Sequence, residues 1–405
     1  MKTMKLALYN VFRNKRRTLI TMLSIVSASV AIIVFGGFIT FTFDILRERT
    51  IHTQLGHFQV AVKGFFDKGA GKDAGDLMKA PGDIEEQIRK LPHVKTATQR
   101  LVGSGLVSTG EVTLTGILIG VEPEKENDFA YSEVLLQGTQ LGVGKKNECL
   151  IGEGLAKGLG AKLDDTLTIL SNTLEGMINA TECQVTGIVQ TGSKTYDDVY
   201  VKMHLGDLQT LLDTDGIEKL LVLLDETKNV SLVSPMLARL LEGTDLEMRE
   251  WIDLAEFYKS AVNLYTSIFR FSSFVLAFVV LLSITNTMSM CVFERFREIG
   301  TLRAIGERRV GIMKLFLSEG FIIGVVGGLL GMVAGIIAAK IINLAGGIDI
   351  APPPGISTGY TAFITPDFIY FVWSFAVSVL ASVGASIYPA YKASRIDIVK
   401  ALQHV

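Results

Sequence analysis

Long apolar runs recur four times along the chain and predict helices that cross a membrane. The runs cover residues 18–43, 269–293, 315–340 and 367–389. Each run is long enough for a helix of about 20 residues to span the hydrocarbon core of a bilayer. A secretory signal has a shorter apolar core of about 7–15 residues, so we interpret the first run as a transmembrane helix as well.

The segment 44–268 has a different pattern, with frequent charges and short apolar stretches between turn residues. Strand-like and helix-like stretches follow each other in mixed order, which predicts an α+β domain in water. The predicted strands are 94–107, 111–121, 148–151, 166–170, 182–189, 199–202, 219–224 and 246–251. The predicted helices are 83–91, 153–159, 205–212 and 230–241. We expect two lobes, one of about 44–120 plus 215–265 and one of about 121–214.

Lysine and arginine residues set the predicted orientation of the chain. The amphipathic segment 1–17 is basic and has no acidic residue, and the segment 294–314 and the tail 390–405 are also basic. The loop 341–366 contains neither lysine nor arginine. Because short basic segments stay in the cytoplasm, both termini and 294–314 are predicted to be cytoplasmic. The α+β domain and the loop 341–366 are then extracytoplasmic.

The cytoplasmic segment 294–314 is predicted to contain an amphipathic helix that ends near Gly306. Four apolar residues recur every third position from Phe296 to Ile305, with charges between them. Such a helix either anchors to lipid headgroups or docks into a soluble partner. The residues assigned to docking are Glu294, Arg297, Glu298, Ile299, Leu302, Arg303 and Gly306. We expect Ile299 and Leu302 in the partner's groove, and Arg297 and Arg303 at its rim.

Small residues mark the third and fourth apolar runs. Two rows of glycines with four-residue spacing lie in the third run: Gly320, Gly324 and Gly328, and Gly327, Gly331 and Gly335. Such rows allow two helix backbones to approach closely in lipid. Ser374, Ser378, Ser382 and Ser386 form a stripe that we expect to face protein. Glu319 lies inside the third run, and we expect it to pair with a basic residue of 294–314 rather than to relay protons.

Phenylalanines concentrate at the predicted outer ends of the first two runs. They are Phe35, Phe38, Phe41 and Phe43 in the first run and Phe269, Phe271, Phe274 and Phe278 in the second. Two interpretations stay open. They form a lateral gate for an amphiphile from the outer leaflet, or they are an ordinary lipid-facing surface with interfacial aromatic residues.

Composition and motifs point away from catalysis and from nucleic acid. The net charge is −2, and the five histidines show no metal-ligand spacing. The glycines and lysines of 138–146 lack the spacing of a phosphate-binding loop, and there is no HExxH motif or nucleophile elbow. We therefore predict no catalytic residue, metal or cofactor on this chain. Cys149 and Cys183 lie in neighbouring predicted strands, and a disulfide and two free thiols are both open.

Three sequence stretches resemble the FtsX-like permeases of ABC transporters. ERFREIGTLRAIGERRVGIMKLFLSEG at 294–320 and YPAYKASRIDIVKALQHV at 388–405 resemble the cytoplasmic motifs of this family, and IGEGLAKGLGAKLDDTLTI at 151–169 is similar to a segment of its extracytoplasmic domain. The family includes MacB and the lipoprotein-releasing permeases LolC and LolE. Length, layout and GHFQV at 56–60 resemble the lipoprotein-releasing branch most closely.

The resemblance implies a permease of the bacterial inner membrane. It implies a homodimer or heterodimer of permease chains that recruits two copies of a separate cytoplasmic ATPase, which binds ATP and Mg. The segment 294–314 would be the coupling helix. The substrate would be lipoprotein or lipid extracted from the outer leaflet, passed on to a periplasmic carrier. The alternatives are MacB-like export of small molecules or peptides with a periplasmic adaptor, and FtsX-like activation of a cell-wall hydrolase.

Overall fold

The computed structural model describes residues 7, 9, 10, 13, 15–67, 77–126, 128, 129, 133–351, 359–398 and 401. Most of the predicted N-terminal segment and the end of the tail lie outside these residues. The chain divides into two compact units, which we call the membrane unit and the aqueous unit. The membrane unit consists of Met1–Asp44, Ala261–Asp349 and Thr361–Val405, and the aqueous unit of Ile45–Ser260 and Ile350–Tyr360.

Four helices are long and apolar enough to cross a membrane, as predicted. With the short helices of the aqueous unit numbered in the same series, they are α1 (Lys15–Thr50), α9 (Glu256–Glu294), α11 (Arg309–Leu344) and α12 (Phe368–Ser394). All four extend beyond the apolar runs, and the longest extensions are 44–50 in α1 and 256–268 in α9. The extension of α1 contains the good helix formers Leu46, Arg47, Glu48 and Arg49.

The aqueous unit is built on one sheet of ten strands. The strands are β1 (Phe58–Val62), β2 (Val94–Ser108), β3 (Thr113–Val121), β4 (Val134–Gly138), β5 (Glu148–Gly152), β6 (Thr166–Asn172), β7 (Ile178–Gln190), β8 (Tyr200–His204), β9 (Lys219–Leu224) and β10 (Leu246–Glu250). Their order is β10-β1-β9-β2-β3-β8-β5-β7-β4, and β6 pairs with β2 and β7. The pairs β3–β8 and β5–β7 are parallel, and the other pairs are antiparallel.

Short helices cover this sheet and connect its strands. They are α2 (Gly82–Arg89), α3 (Pro123–Glu126), α4 (Glu153–Leu159), α5 (Lys194–Asp197), α6 (Leu205–Leu212), α7 (Val230–Leu241) and α8 (Trp251–Leu254). A π-helix, Ile51–Leu55, follows α1. The helix α4 ends where Gly160 adopts φ of 70°, a left-handed conformation that glycine allows without strain. The α+β fold class is therefore as predicted, whereas β1 and β4 were not predicted.

The aqueous unit has two main hydrophobic cores, and their boundary differs from the predicted lobes. Strand β3 was assigned to the first lobe, but its Leu118 is buried with Cys149 and Leu167 of the second. The first core contains Phe58, Leu220 and the helices α2 and α7 instead. The reason is that β2 is long: its first half pairs with β9, and its second half forms a hairpin with β3. The boundary thus crosses β2.

Two further short strands lie between α11 and α12. They are β11 (Ile348–Ile350) and β12 (Tyr360–Ala362), and they pair with each other. Residues 352–358 of this predicted extracytoplasmic loop, including its three consecutive prolines, lie outside the described residues. Next to the strands, the Asn343 amide donates to the carbonyl of Ile364 and accepts from its N–H group. This pair of bonds ties the end of α11 to the segment before α12.

Candidate functional site

The predicted coupling segment forms a short helix between two membrane-spanning helices. We call it α10, and it spans Phe296–Ala304. Arg295 separates it from α9 with a non-helical φ of −102° and ψ of 17°. Gly306 has φ of 104°, which favours glycine, and α11 begins at Arg309. The predicted end of the helix near Gly306 therefore agrees with the structure.

Ile299 was predicted to lie in a partner's groove, and this was wrong. Its side chain is only 3% exposed and packs in a core with Ile312, Phe316 and Ala393 of the same chain. A Cβ at the next residue, Gly300, would lie 2.4 Å from the Cβ of Ala401. The error comes from the period: residues three apart on an α-helix are rotated by about 60° from one position to the next. The stripe therefore turns from the interior to the surface along α10.

The exposed part of this turning stripe forms a surface that we call the tip. Leu302 is 37% exposed, Ile305 80% and Val310 59%. Exposed charged residues lie close to them in the chain, namely Arg297, Glu298, Glu307, Arg308 and Arg309. Exposed apolar residues with a polar rim are typical of protein interaction sites. Sequence reasoning did not assign Ile305 and Val310 to docking. The signal for Ile305 was available, because the Ile-Gly pair at 305–306 marks a helix end with an apolar side chain just before it.

Arg303 was predicted at the rim of the docking site, and the structure gives it an internal partner. Its Nη1 donates to the carbonyl of Ser394, at 2.9 Å, at the end of α12. The side chain is half-buried. Arg303 therefore ties α10 to α12 within the chain, whereas Arg297 is exposed.

A network of ion pairs holds α10 in place. Arg295 Nη1 lies 3.0 Å from Glu319 Oε1, and Arg295 Nε lies 3.0 Å from Glu298 Oε2. The Asn10 amide donates to Glu319 at 2.8 Å, and Arg13 Nη2 donates to Glu298 at 2.9 Å. The prediction that Glu319 pairs with a basic residue of 294–314 is thus confirmed. Since Arg295 and Glu319 are both buried, each neutralises the charge of the other.

Two further carboxylates of this region bind N-terminal arginines. Glu294 accepts from Arg17, while Glu298 accepts from Arg13 as well as from Arg295. Burial raises the pKa of Glu298, but the hydrogen bonds from Arg13 and Arg295 outweigh it and hold the pKa below its usual value. Glu294 and Glu298, both assigned to docking, therefore take part in contacts within the chain.

The first glycine row packs α11 against the serine stripe of α12. A Cβ at Gly320 would lie 2.9 Å from Ser386 Cβ, and one at Gly324 would lie 2.9 Å from Ser382 Cβ. At Gly328 the neighbours are Phe375 and Ser378, at 3.0 and 3.2 Å. All four serines of the stripe are buried, as expected. The backbones of the two helices approach this closely because neither side carries bulk.

The second glycine row packs α11 against α1. A Cβ at Gly327 would lie 3.0 Å from Ile25, one at Gly331 2.4 Å from Ser29 and one at Gly335 2.7 Å from Ile33. Ser29 Oγ also shares a 3.0 Å hydrogen bond with Ser378 Oγ of α12. The two rows therefore make α11 the centre of a compact group with α1 on one face and α12 on another.

The predicted gate residues fall into two groups in the structure. Phe35, Phe38 and Phe269 lie together, with ring centroids of Phe35 and Phe269 6.0 Å apart. Phe41 contacts Phe363 instead, at 5.6 Å. Phe271 and Phe274 are each 69% exposed and take no part in the cluster. Sequence reasoning missed Tyr370 of α12, whose ring lies 5.1 Å from that of Phe269 and covers Gly36.

The described residues contain no group of three or more histidine, cysteine, aspartate or glutamate side chains able to hold a metal ion. The site consists of a short helix with an exposed apolar tip, and this helix is fixed to three membrane-spanning helices. Its chemistry is that of an interface.

Comparison with known families agrees with this description. The FtsX-like permease C-terminal family matches residues 270–398, and the MacB-like periplasmic core domain family matches residues 18–240. The second match alone covers more than half of the chain. The chain therefore belongs to the FtsX-like ABC transporter permeases that carry a MacB-like periplasmic core domain. Membership of this class of permease subunits implies that the chain has an ATPase partner.

Individual relatives are similar to most or to part of the chain. The chain is 22% identical over 343 residues to the lipoprotein-releasing system transmembrane protein LolC of Xylella fastidiosa, which covers 77% of this chain and 78% of the relative. It is 24% identical over 336 residues to LolE of Haemophilus influenzae, with 78% and 79% covered. It is 32% identical over 123 residues to the macrolide export ATP-binding/permease protein MacB of Bdellovibrio bacteriovorus, with 30% and 17% covered.

Proposed function

We propose that this chain is the permease of a lipoprotein-releasing ABC transporter, powered by a separate cytoplasmic ATPase. The support for this substrate class is that LolC and LolE relatives align with both the membrane-spanning and the aqueous parts of the chain. The MacB relative aligns with under a third of it. The substrate is a lipoprotein or lipid in the outer leaflet of the inner membrane, and both chain termini are cytoplasmic.

The observation that carries the transport role is the exposed tip at the end of α10. Exposed apolar residues that face water cost free energy unless a partner covers them. We place Ile305 and Val310 in water on the cytoplasmic side, because they lie next to Glu307 and the two arginines 308–309, which are also exposed. We infer that two ATPase copies bind the tips of a permease dimer, and that this ATPase supplies the ATP and Mg chemistry.

The contacts around α10 explain how force from the ATPase reaches the membrane-spanning helices. Ile299 and Gly300 fix one face of α10 in the core of the membrane unit. Arg295 connects its beginning to Glu319 of α11, and Arg303 connects its end to α12. A displacement of the tip therefore moves α11 and α12 instead of bending the loops beside α10. Close packing without voids transmits strain in this way.

A second candidate function is MacB-like export of a small molecule or peptide through a periplasmic adaptor. The observation in its favour is the match of residues 18–240 to the MacB-like periplasmic core domain, together with the MacB relative. The two functions differ in what contacts the membrane-spanning helices: an acylated substrate enters from the leaflet, whereas an exported soluble substrate has no acyl chain there.

Site-specific photo-crosslinking in cells distinguishes these functions. A photo-reactive residue is placed at Phe271, which is exposed on α9 two residues after Phe269 of the aromatic cluster. The matched control is Ile337 on α11, which is apolar and 52% exposed. We expect acylated protein to be captured at Phe271 and not at Ile337. Equal capture at both positions would contradict a substrate route beside α9, and capture of a periplasmic adaptor without acylated species would favour export.

A further inference from the structure

The two cysteines of the aqueous unit lie side by side in its second core. Cys149 is on β5 and Cys183 on β7, which are paired strands of the sheet. Their Sγ atoms are 2.7 Å apart, about 0.7 Å more than the length of an S–S bond. The side chains are 0% and 1% exposed. The two strands therefore place both sulfur atoms close to bonding distance.

We propose that Cys149 and Cys183 are joined by a disulfide bond that fixes β5 to β7. This inference rests on the extracytoplasmic location of the aqueous unit in the proposed function, because disulfides persist in oxidising compartments. The third cysteine, Cys291, lies in α9 of the membrane unit and stays reduced.

The surroundings of the pair favour a structural bond over a metal site or a reactive thiol. The pair lies in a cluster of buried apolar side chains that includes Leu167 and Val185, and the described residues contain no group of three or more side chains able to hold a metal ion. The hydrogen bond with Cys183, followed by burial, raises the pKa of the Cys149 thiol well above its usual value. Cys149 in a folded, reduced chain would therefore form little thiolate, so we expect the bond to form before the second core closes.

The oxidation proceeds by thiol–disulfide exchange with an oxidising protein disulfide of that compartment. The thiolate of one cysteine attacks the oxidant's disulfide, which gives a mixed disulfide and releases one thiolate of the oxidant. The thiolate of the second cysteine then attacks the mixed disulfide, forms the Cys149–Cys183 bond and releases the other thiolate. Two protons and two electrons leave the cysteines, and the oxidant becomes a dithiol.

The bond would enclose α4, β6 and the first half of β7 in one covalent loop. A cross-link of this kind restricts the unfolded chain and holds the strands in register. In the proposed function the aqueous unit transmits motion that the ATPase drives. The disulfide would then make the second core move as one body instead of deforming between β5 and β7.

Thiol counting in cells tests the bond directly. Cells are lysed in denaturant that contains an alkylating reagent, and the intact chain is analysed by mass spectrometry with and without prior reduction. The chain has three cysteines. We expect one adduct without reduction and three after it. Cys149→Ser should give two adducts under both conditions, whether or not this variant folds. Three adducts on the native chain without reduction would overturn the proposal.

A parallel experiment separates failure of the disulfide from failure of the proposed orientation. Lys90 is exposed in the aqueous unit, so Lys90→Cys adds an accessible thiol. A membrane-impermeant thiol reagent is added to intact spheroplasts of this variant and of the parent. Labelling of the variant alone, combined with three free native thiols, would refute the disulfide and leave the orientation intact. Absence of labelling would refute the extracytoplasmic location, and with it the basis of both proposals.

Discussion

The membrane unit and the aqueous unit are each stabilised internally by a different kind of interaction. Buried positions in the aqueous unit are mostly large aliphatic side chains such as Leu118, Leu150 and Leu220. Between the helices of the membrane unit, large side chains such as Ile284 are buried as well, but glycines, serines and alanines form the closest contacts, together with the Arg295–Glu319 pair. The difference follows from the solvent: water drives aliphatic side chains together, whereas lipid gives no such drive and association depends on close contact and polar bonds.

This contrast shows which changes each unit tolerates. In the membrane unit, an added methyl group or a lost charge partner disturbs contacts that nothing else replaces. The aqueous unit depends on the shape and volume of its apolar cores, and also on buried polar groups of its own, such as His57 and the Arg100–Glu126 ion pair. The tests below probe the two kinds of stabilisation in order of expected effect.

Removing the partner of Glu319 should have the largest effect. Arg295→Ala leaves a carboxylate buried without its cation, which costs about 3–5 kcal/mol. We expect a strongly reduced thermal unfolding midpoint for the purified protein in a membrane mimic. Arg295→Met combined with Glu319→Leu removes both charges and should recover much of the loss. If the double variant is no better than Arg295→Ala, the pair does not act as a unit.

Adding bulk to the first glycine row should have the next largest effect. A Cβ at Gly324 already meets Ser382 Cβ at 2.9 Å and the backbone of Val379 at 3.0 Å. Gly324→Leu should therefore destabilise the membrane unit by about 3 kcal/mol, because backbone atoms cannot yield as side chains do. The control is Gly384→Leu on α12, where an added Cβ meets nothing within 4 Å. Similar unfolding midpoints for both variants would contradict close packing at Gly324.

Lowering the pH should have a smaller effect on stability, through a buried histidine of the aqueous unit. Buried His57 accepts a hydrogen bond from the N–H of Leu224 at Nδ1, and Nε2 lies 3.1 Å from Thr227 Oγ1. Burial, with the nearby His52, lowers the pKa of His57 to about 4. The unfolded chain therefore binds this proton first, and folding stability falls as the pH drops from about 6.5 towards 4.

The change expected from His57 is about 2 kcal/mol between pH 7 and pH 5. It is measured as the pH dependence of the unfolding midpoint, relative to the variant His57→Gln, whose amide does not titrate. The wild-type protein should lose stability over this interval more steeply than the variant. Parallel pH profiles would show that His57 is protonated as easily in the folded protein as in the unfolded chain.

The sequence predicted elements much better than it predicted contacts. The four apolar runs and most strands of the aqueous unit could be located because periodicity and turn residues are local signals. Strand β1, FQVAV, is a short segment that follows directly on the end of α1 and its π-helix, and its pairing with β9 and β10 depends on residues far along the chain. No local pattern records such a partner.

The candidate site shows the same limit. Glu319 could be assigned a basic partner because a carboxylate inside an apolar run needs one. Ile299 and Leu302 looked equivalent in sequence, yet one is internal and the other exposed, since the core that receives Ile299 is formed by α11, α12 and Ala401. The predicted gate residues fall into two groups for a similar reason, because their contacts depend on residues of other helices. Tyr370, which covers Gly36, belongs to α12 and lies far along the chain.

The claim that the tip binds the ATPase is tested most directly by co-purification. Val310→Asp puts a charge on the apolar tip at the start of α11, while Leu344→Asp makes the same change at an exposed position at the other end of that helix. Charge in a buried interface leaves an unpaired, desolvated group, whereas charge on a free surface costs little. We predict that the ATPase is lost from permease carrying Val310→Asp and retained at wild-type yield with Leu344→Asp. Wild-type yield of ATPase with Val310→Asp would contradict the account.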